Sequence, residues 1–292
     1  MPTSSSCGDL QLEQHWWQRL AQARRCPLLA SDLIAAYGQV VSPELKLALA
    51  EHLAINAGDG GFDSLMTLVE QFGRESQLIR ALGLCNHPQA RDLLLASMQE
   101  PDVDQALILS SLERWAVQVP LSVIADAVSD PASALRLAGL QLLMHRTSEF
   151  DIYRLLHLCA EPLADFREPV VHATLAVLRR LDDPKVVRVL RDLVLESQSS
   201  SLAQQALRAI GSMATSCSAL TLVELAKSRT SVEVEGELRR QLRAQFRHQD
   251  LMIMELERLQ REGQLDPSLA EELRATIPAA GGVRNELRAD QR

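Results

Sequence analysis

Aromatic side chains are scarce, at 3% of 292 residues, with 3 Trp, 2 Tyr and 5 Phe. That scarcity argues against aromatic-rich strands, because the apolar 47% must then come mainly from Leu, Ala and Val, which suit packed helices. Cysteine is sparse as well. Cys7, Cys26, Cys85, Cys159 and Cys217 are odd in number and far apart, and no CxxC pair occurs, so neither a disulfide framework nor a structural zinc site is drawn from them. No apolar run reaches the roughly 18 residues of a membrane span. The opening MPTSSSCGDL has no basic start and no apolar stretch, so it is not read as a secretory signal. The expectation is a reduced, cytoplasmic, all-α protein.

Catalytic signatures are missing too: there is no GxSxG elbow, HExxH helix, GxGxxG or phosphate loop. Gly58-Asp59-Gly60-Gly61 falls between two predicted helices and reads as a turn. His157 and Cys159 are two apart, which sends them to different sides of a helix and not into a nucleophile pair. Cys85 and Cys217 read as packing groups near helix ends. His52, His145 and His172 have no metal-ligand spacing, and His172 beside Ala173 reads as a structural histidine on an inter-helix face. No metal, no resident cofactor and no catalytic set are expected.

What the chain does contain is recurrence. From Leu178 to Met213 one amphipathic helix ends at Leu181, Asp182-Asp183-Pro184 turns the chain, a second helix runs to about Glu196, and Leu202 opens a third. Pro184 suits a first helical turn, and the aspartates before it can cap the exposed N–H groups. The same punctuation recurs at Pro43, Pro88, Pro101, Pro131 and Pro169. It divides the chain into pairs 42–57 with 60–72, 75–84 with 88–99, 102–117 with 120–129, and 132–146 with 149–161. Three more follow, 168–181 with 184–196, 200–214 with 217–228, and 231–246 with 249–262. Small residues at Ala106, Ala138, Ala173, Ala206 and Gly236, at intervals of 32, 35, 33 and 30, are expected where first helices approach closely.

Outside the repeats at 42–262, residues 9–40 form an N-terminal cap, with Trp16 and Trp17 covering the open end and 28–40 as partner helix. Residues 266–276 form a C-terminal cap, and 1–8 and 277–292 are expected to be unstructured ends of a single repeat domain over 9–276.

RALGLCNHPQARDLLLASMQEPD at 80–102, and more closely LRRLDDPKVVRVLRDLVLE at 178–196, resemble the helix, Asp-Pro turn, helix, acidic turn of HEAT or armadillo-like repeats. The resemblance covers 42–262, without the Val-Arg dipeptide common at the start of that family's first helices. It implies a right-handed α-solenoid of about seven to eight helical hairpins whose second helices line a concave binding wall.

Charge is uneven beneath the net −8: residues 179–247 hold 12 Lys/Arg against 8 Asp/Glu, a net of +4, inside an otherwise acidic chain. On the polar faces of the second helices, Asp151, Arg154 and His157 recur at spacing three, as do Lys185, Arg188 and Arg191, and then Thr221, Glu224 and Lys227. These residues are the candidate binding wall, led by Arg188 and Arg191, whose guanidinium forks suit carboxylates or phosphates. The reading is a non-catalytic scaffold or adaptor that grips another protein through an acidic or helical segment. The resemblance adds an alternative, the phycobilin lyase-like HEAT group, in which a transient phycobilin would meet Arg154, Arg188 and Asp151. A third reading is nucleic-acid binding, as in HEAT-like alkylpurine glycosylases, although the pI near 5.4 counts against it.

Overall fold

In a computed structural model, the chain is described over residues 7–56, 60–100, 103–228 and 231–277, with side chains described from residue 10. Helices account for every regular element among these residues, and no strand occurs. Most of the two ends expected to be unstructured, together with Gly58, Asp59 and Pro101, lie outside the described residues.

Two compact units divide the chain after Arg146. The first, Met1–Arg146, contains α1 (Cys7–Gln22), α2 (Ala30–Gln39), α3 (Pro43–Asn56), α4 (Gly60–Phe72), α5 (Ser76–Leu84), α6 (Pro88–Ser97), α7 (Gln105–Ser111), α8 (Leu121–Val128) and α9 (Ser133–Met144). Here α3 packs on α4 and α5, α5 on α6 and α7, and α7 and α8 on α9. The second, Thr147–Arg292, contains α10 (Ile152–Leu163), α11 (Glu168–Leu178), α12 (Pro184–Glu196), α13 (Ser200–Met213), α14 (Ser216–Leu225), α15 (Val232–Ala244), α16 (Gln249–Arg261) and α17 (Pro267–Thr276). In this unit α11, α13, α15 and α17 pack successively as one row, while α12, α14 and α16 form another.

Helix starts follow from local chemistry. Pro88, Pro184 and Pro267 take first-turn positions, and the side chains of His87, Asp183 and Asp266 accept from the N–H groups of Gln89, Lys185 and Ser268. Thr215 and Ser218 form a reciprocal capping box at α14. Gly73 and Gly263, with φ of 76° and 69°, let the chain leave α4 and α16 through the left-handed region.

The core is aliphatic. Leu190, Val194, Leu207 and Ile210, expected between neighbouring hairpins, are all buried, and each such side chain contributes about 1.5–3 kcal/mol of transfer free energy. Trp16 is buried, but Trp17 on the adjacent face stays 44% exposed, so one indole and not the pair serves the packing.

Several expectations need correction. The helix expected over 102–117 ends at Ser111 and continues as a 3₁₀ segment, Glu113–Gln118. The Ser110 and Ser111 hydroxyls turn back onto the carbonyls of Ala106 and Leu107, and the buried Arg146 guanidinium takes the carbonyls of Ala116 and Val119. Those carbonyls, capped by a side chain 27 to 30 positions away, have no need of a continuing helix. The small-residue register also shifts. Ala138 and Ala206 are buried, Ala106 and Ala173 only partly so, and Gly236 faces open space. Close approach is made instead at Gly83, Gly139 and Gly211, where an added Cβ would collide with Ser111, the α8 end and Gln241 respectively. At the two ends, α1 already includes Cys7, and Ile277 is buried against its unit.

Candidate functional site

The nine residues expected on a binding wall all fall in the second unit, on or beside α10, α12 and α14. Asp151 is the N-cap of α10: its Oδ1 accepts from the N–H groups of Tyr153 and Arg154 at 2.9 and 3.3 Å, so one of its two carboxylate oxygens is committed to the backbone. That cap fixes the first turn of α10 and turns Tyr153 outward, 68% exposed. The Lys185 ammonium, on α12, lies 4.1 Å from the centre of the Tyr153 ring. A cation held over a phenol at that distance is worth about 0.5–1 kcal/mol at an exposed site. Arg154 rests over Phe150 at 5.5 Å, and His157 is exposed.

One turn beyond Lys185, Arg188 is exposed, with no hydrogen bond or ion pair among the described residues. Arg191 is different. Its guanidinium gives Asp192 Oδ1 two hydrogen bonds, of 2.7 and 3.0 Å, and the Glu224 carboxylate on α14 adds its field. Hydrogen bonding to Asp192, more than Glu224, holds the Arg191 proton still more firmly than usual. Lys227 donates to Gln264 at 3.1 Å, and its charge helps Arg258 depress the Glu255 carboxyl. Thr221, grouped with Glu224 and Lys227 by spacing, is buried.

These candidate residues do not share one environment. Tyr153, Lys185 and Arg188 form an aromatic and cationic patch, beyond which Arg191 is paired with Asp192, Glu224 adds its field to Arg191, and Lys227 is bonded to Gln264. Such a patch can hold a carboxylate against a flat apolar surface. Cys159 points into the core while His157 faces out, and burial pushes the Cys159 thiol up to about 12.

Sequence reasoning missed Tyr153 as a contact residue, although its place two beyond a capping Asp was a usable signal for exposure. It also missed an open groove of about 700 Å³ on the opposite row of helices, α11, α13 and α15. His172, read as an inter-helix residue, lines that groove, exposed and 3.3 Å from Glu168 one turn back. Arg208 on α13 borders it as well, 3.2 Å from the Glu237 carboxylate of α15. Glu237 is only 4% exposed and also receives Arg240 and Gln241 at 2.9 and 2.7 Å. Burial alone would push its pKa up; hydrogen bonds from Arg208 and Gln241, with the charges of Arg208 and Arg240, outweigh that and hold it below the usual carboxylate range.

No protein-family model matches the chain, and no curated protein does so. Among solved structures, the chain is similar to an engineered protein whose crystal structure comes from the Northeast Structural Genomics Consortium. Identity is 15%, the likeness covers 93% of this chain and 85% of that one, and the TM-score is 0.48. A likeness of that degree says nothing of what the chain does. Among the described residues no helix is long and apolar enough to cross a membrane.

Proposed function

We propose that the protein is a non-catalytic scaffold or adaptor of the HEAT-like kind, a right-handed α-solenoid that binds another protein along a concave wall of second helices. Its successive packing supports the solenoid reading: within the units α3, α5, α7 and α9 stack in order, as do α12, α14 and α16. The observation that carries the binding role is the Tyr153, Lys185 and Arg188 patch. Tyr and Arg are the residue types that dominate binding hot spots, and here the ring is held by Lys185 while Arg188 has no counter-ion among the described residues. An acidic or helical segment of a partner would supply that counter-ion.

The pigment-handling reading has less support, because one oxygen of the Asp151 carboxylate is taken by two backbone N–H groups and aromatics for a pigment wall are scarce, at 3% of the chain. Nucleic-acid binding is supported only by the local excess of Lys and Arg. The test is affinity purification with the parent and with Arg188→Glu, followed by titration of the recovered partner at about 50 and 300 mM salt. The reading expects a protein that the variant binds at least tenfold more weakly, with less salt dependence, at an unchanged melting temperature. A partner held equally by both would remove Arg188 from the wall, a bilin absorbance in the eluate would favour the pigment reading, and nuclease-sensitive recovery the third.

A further inference from the structure

The groove across α11, α13 and α15 holds none of the residues so far assigned to binding. It continues beyond His172 and Gln205, which it shares with a neighbouring hollow of about 400 Å³ lined by Phe166, Val171 and Leu202. The two ends differ in character. At one end Phe166 is 92% exposed beside Val171 and Leu202. The acidic residues there are already engaged, Asp165 by Arg167 and Glu168 by His172. At the other end stand two guanidiniums, Arg179 and Arg208. Arg179 has no ion-pair or hydrogen-bond partner among the described residues and is exposed. Arg208 gives Glu237 a single hydrogen bond, from Nη2, whereas a guanidinium has five N–H donors.

Glu237 gives this arrangement its logic. A buried carboxylate tethers Arg208 at the groove edge, so the side chain is oriented before any ligand arrives and less entropy is lost on binding. Gly211 adds to it. With no side chain there, α13 approaches Gln241 of α15, which in turn donates to Glu237.

We infer that this groove binds a short acidic segment of a partner protein, with an apolar side chain on Phe166 and Leu202 and carboxylates on Arg179 and Arg208. Size agrees with this occupant. The eleven steps of α11 from Glu168 to Arg179 rise about 16 Å, the reach of roughly five residues of extended chain. The groove is open along its length, which suits a peptide better than an enclosed small molecule. Charge agrees as well: acidic groups of the ligand would be drawn to Arg179 and Arg208, whereas at the other end the charges are already paired, Asp165 with Arg167 and Glu168 with His172, which favours a ligand that keeps its apolar and acidic parts apart.

Fluorescence anisotropy of the full chain with labelled six-residue peptides tests this. One probe has leucine at its first position and two glutamates at its last two, a second reverses that order, and control probes replace the glutamates by lysines or the leucine by glycine. The inference expects saturable binding of at least one acidic probe, none of the lysine probe, and binding several-fold weaker for the glycine probe. Arg179→Glu should weaken the acidic probe at least tenfold and flatten its salt dependence, and Phe166→Ala should weaken it several-fold. Both variants change exposed side chains, and unchanged melting confirms their folds. Arg188→Glu, on the other row of helices, should leave this binding intact, which separates failure here from failure of the wall. Absence of binding up to millimolar probe, equal binding of acidic and lysine probes, or indifference to Arg179→Glu would each overturn the inference. Tighter binding of a single-stranded oligonucleotide, lost in Arg179→Glu, would also overturn it and reassign the groove to phosphates.

Discussion

The Tyr37 hydroxyl donates to Glu75 Oε2 across 2.7 Å, and Lys46 meets the same carboxylate at 3.1 Å while lying 4.9 Å from the centre of the Tyr37 ring. One ring, one anion and one cation thus tie α2, α3 and the turn before α5 together. Tyr37→Phe removes the hydroxyl and leaves the Lys46 to Glu75 pair, so the expected loss is about 1–3 kcal/mol, read as a lowered thermal midpoint. Burial first, then the bond to Glu75 and its charge, raises the Tyr37 pKa far above that of an ordinary phenol. The folded state therefore holds this proton more tightly than the unfolded chain. The stability it brings is complete below about pH 10 and declines as pH rises further. In a melting series across that range the parent should lose stability more steeply than Tyr37→Phe; parallel curves would contradict the assignment.

Glu237 gives the opposite pH dependence. Its pKa is lowered in the folded state, so the stability it contributes is present above the ordinary carboxyl value and is lost as pH falls through the folded one. Glu237→Gln should cost about 1–3 kcal/mol at pH 7 and melt with less acid sensitivity than the parent below about pH 4.5. Thermal melts from pH 7 to pH 3 would check both the size and the slope.

Thiol labelling separates the cysteines. Cys159 is buried with its thiol pushed up to about 12, and burial raises Cys85 as well, whereas Cys26 is exposed. At pH 8 a disulfide reagent should modify Cys26 within minutes and leave Cys85 and Cys159 intact until denaturant is added, as peptide mass mapping would show. Rapid native labelling of Cys159 would reopen its role as a nucleophile.

Leu190→Ala empties a fully buried site on α12, which packs against α13 and α14. The expected cost is about 2–5 kcal/mol. Hydrogen exchange should accelerate in α12, α13 and α14 first, because stability in a stack of hairpins is held by neighbours. A uniform rise across all helices would contradict nearest-neighbour coupling.

Helix positions were largely legible because the turns carry their own chemistry: Asp183-Pro184 and Asp266-Pro267 cap and start α12 and α17 through contacts two residues apart. What depended on distant residues was not legible. Nothing near Ser111 announces that Arg146 will take the carbonyls of Ala116 and Val119 and end the helix early. Ala214 reads as an ordinary helical residue, yet it leaves α13 with φ at 51°. At the candidate wall, spacing placed Lys185, Arg188 and Arg191 on one helix face, but it could not reveal that Asp192 occupies Arg191 or that Tyr153 lies under Lys185. Glu237 drew no notice from its local sequence, because the partner that helps hold its buried carboxylate, Arg208, lies 29 positions earlier.

The row of α11, α13, α15 and α17, each touching the next, has a mechanical consequence. A pull on the C-terminal end of the second unit would not have to break all of its contacts at once, since α17 meets only α15 and α16 among its principal neighbours. Extension should proceed as a series of small releases, one hairpin after another, each able to re-form when the tension falls. Such a unit is expected to yield from its α17 end before its middle under load.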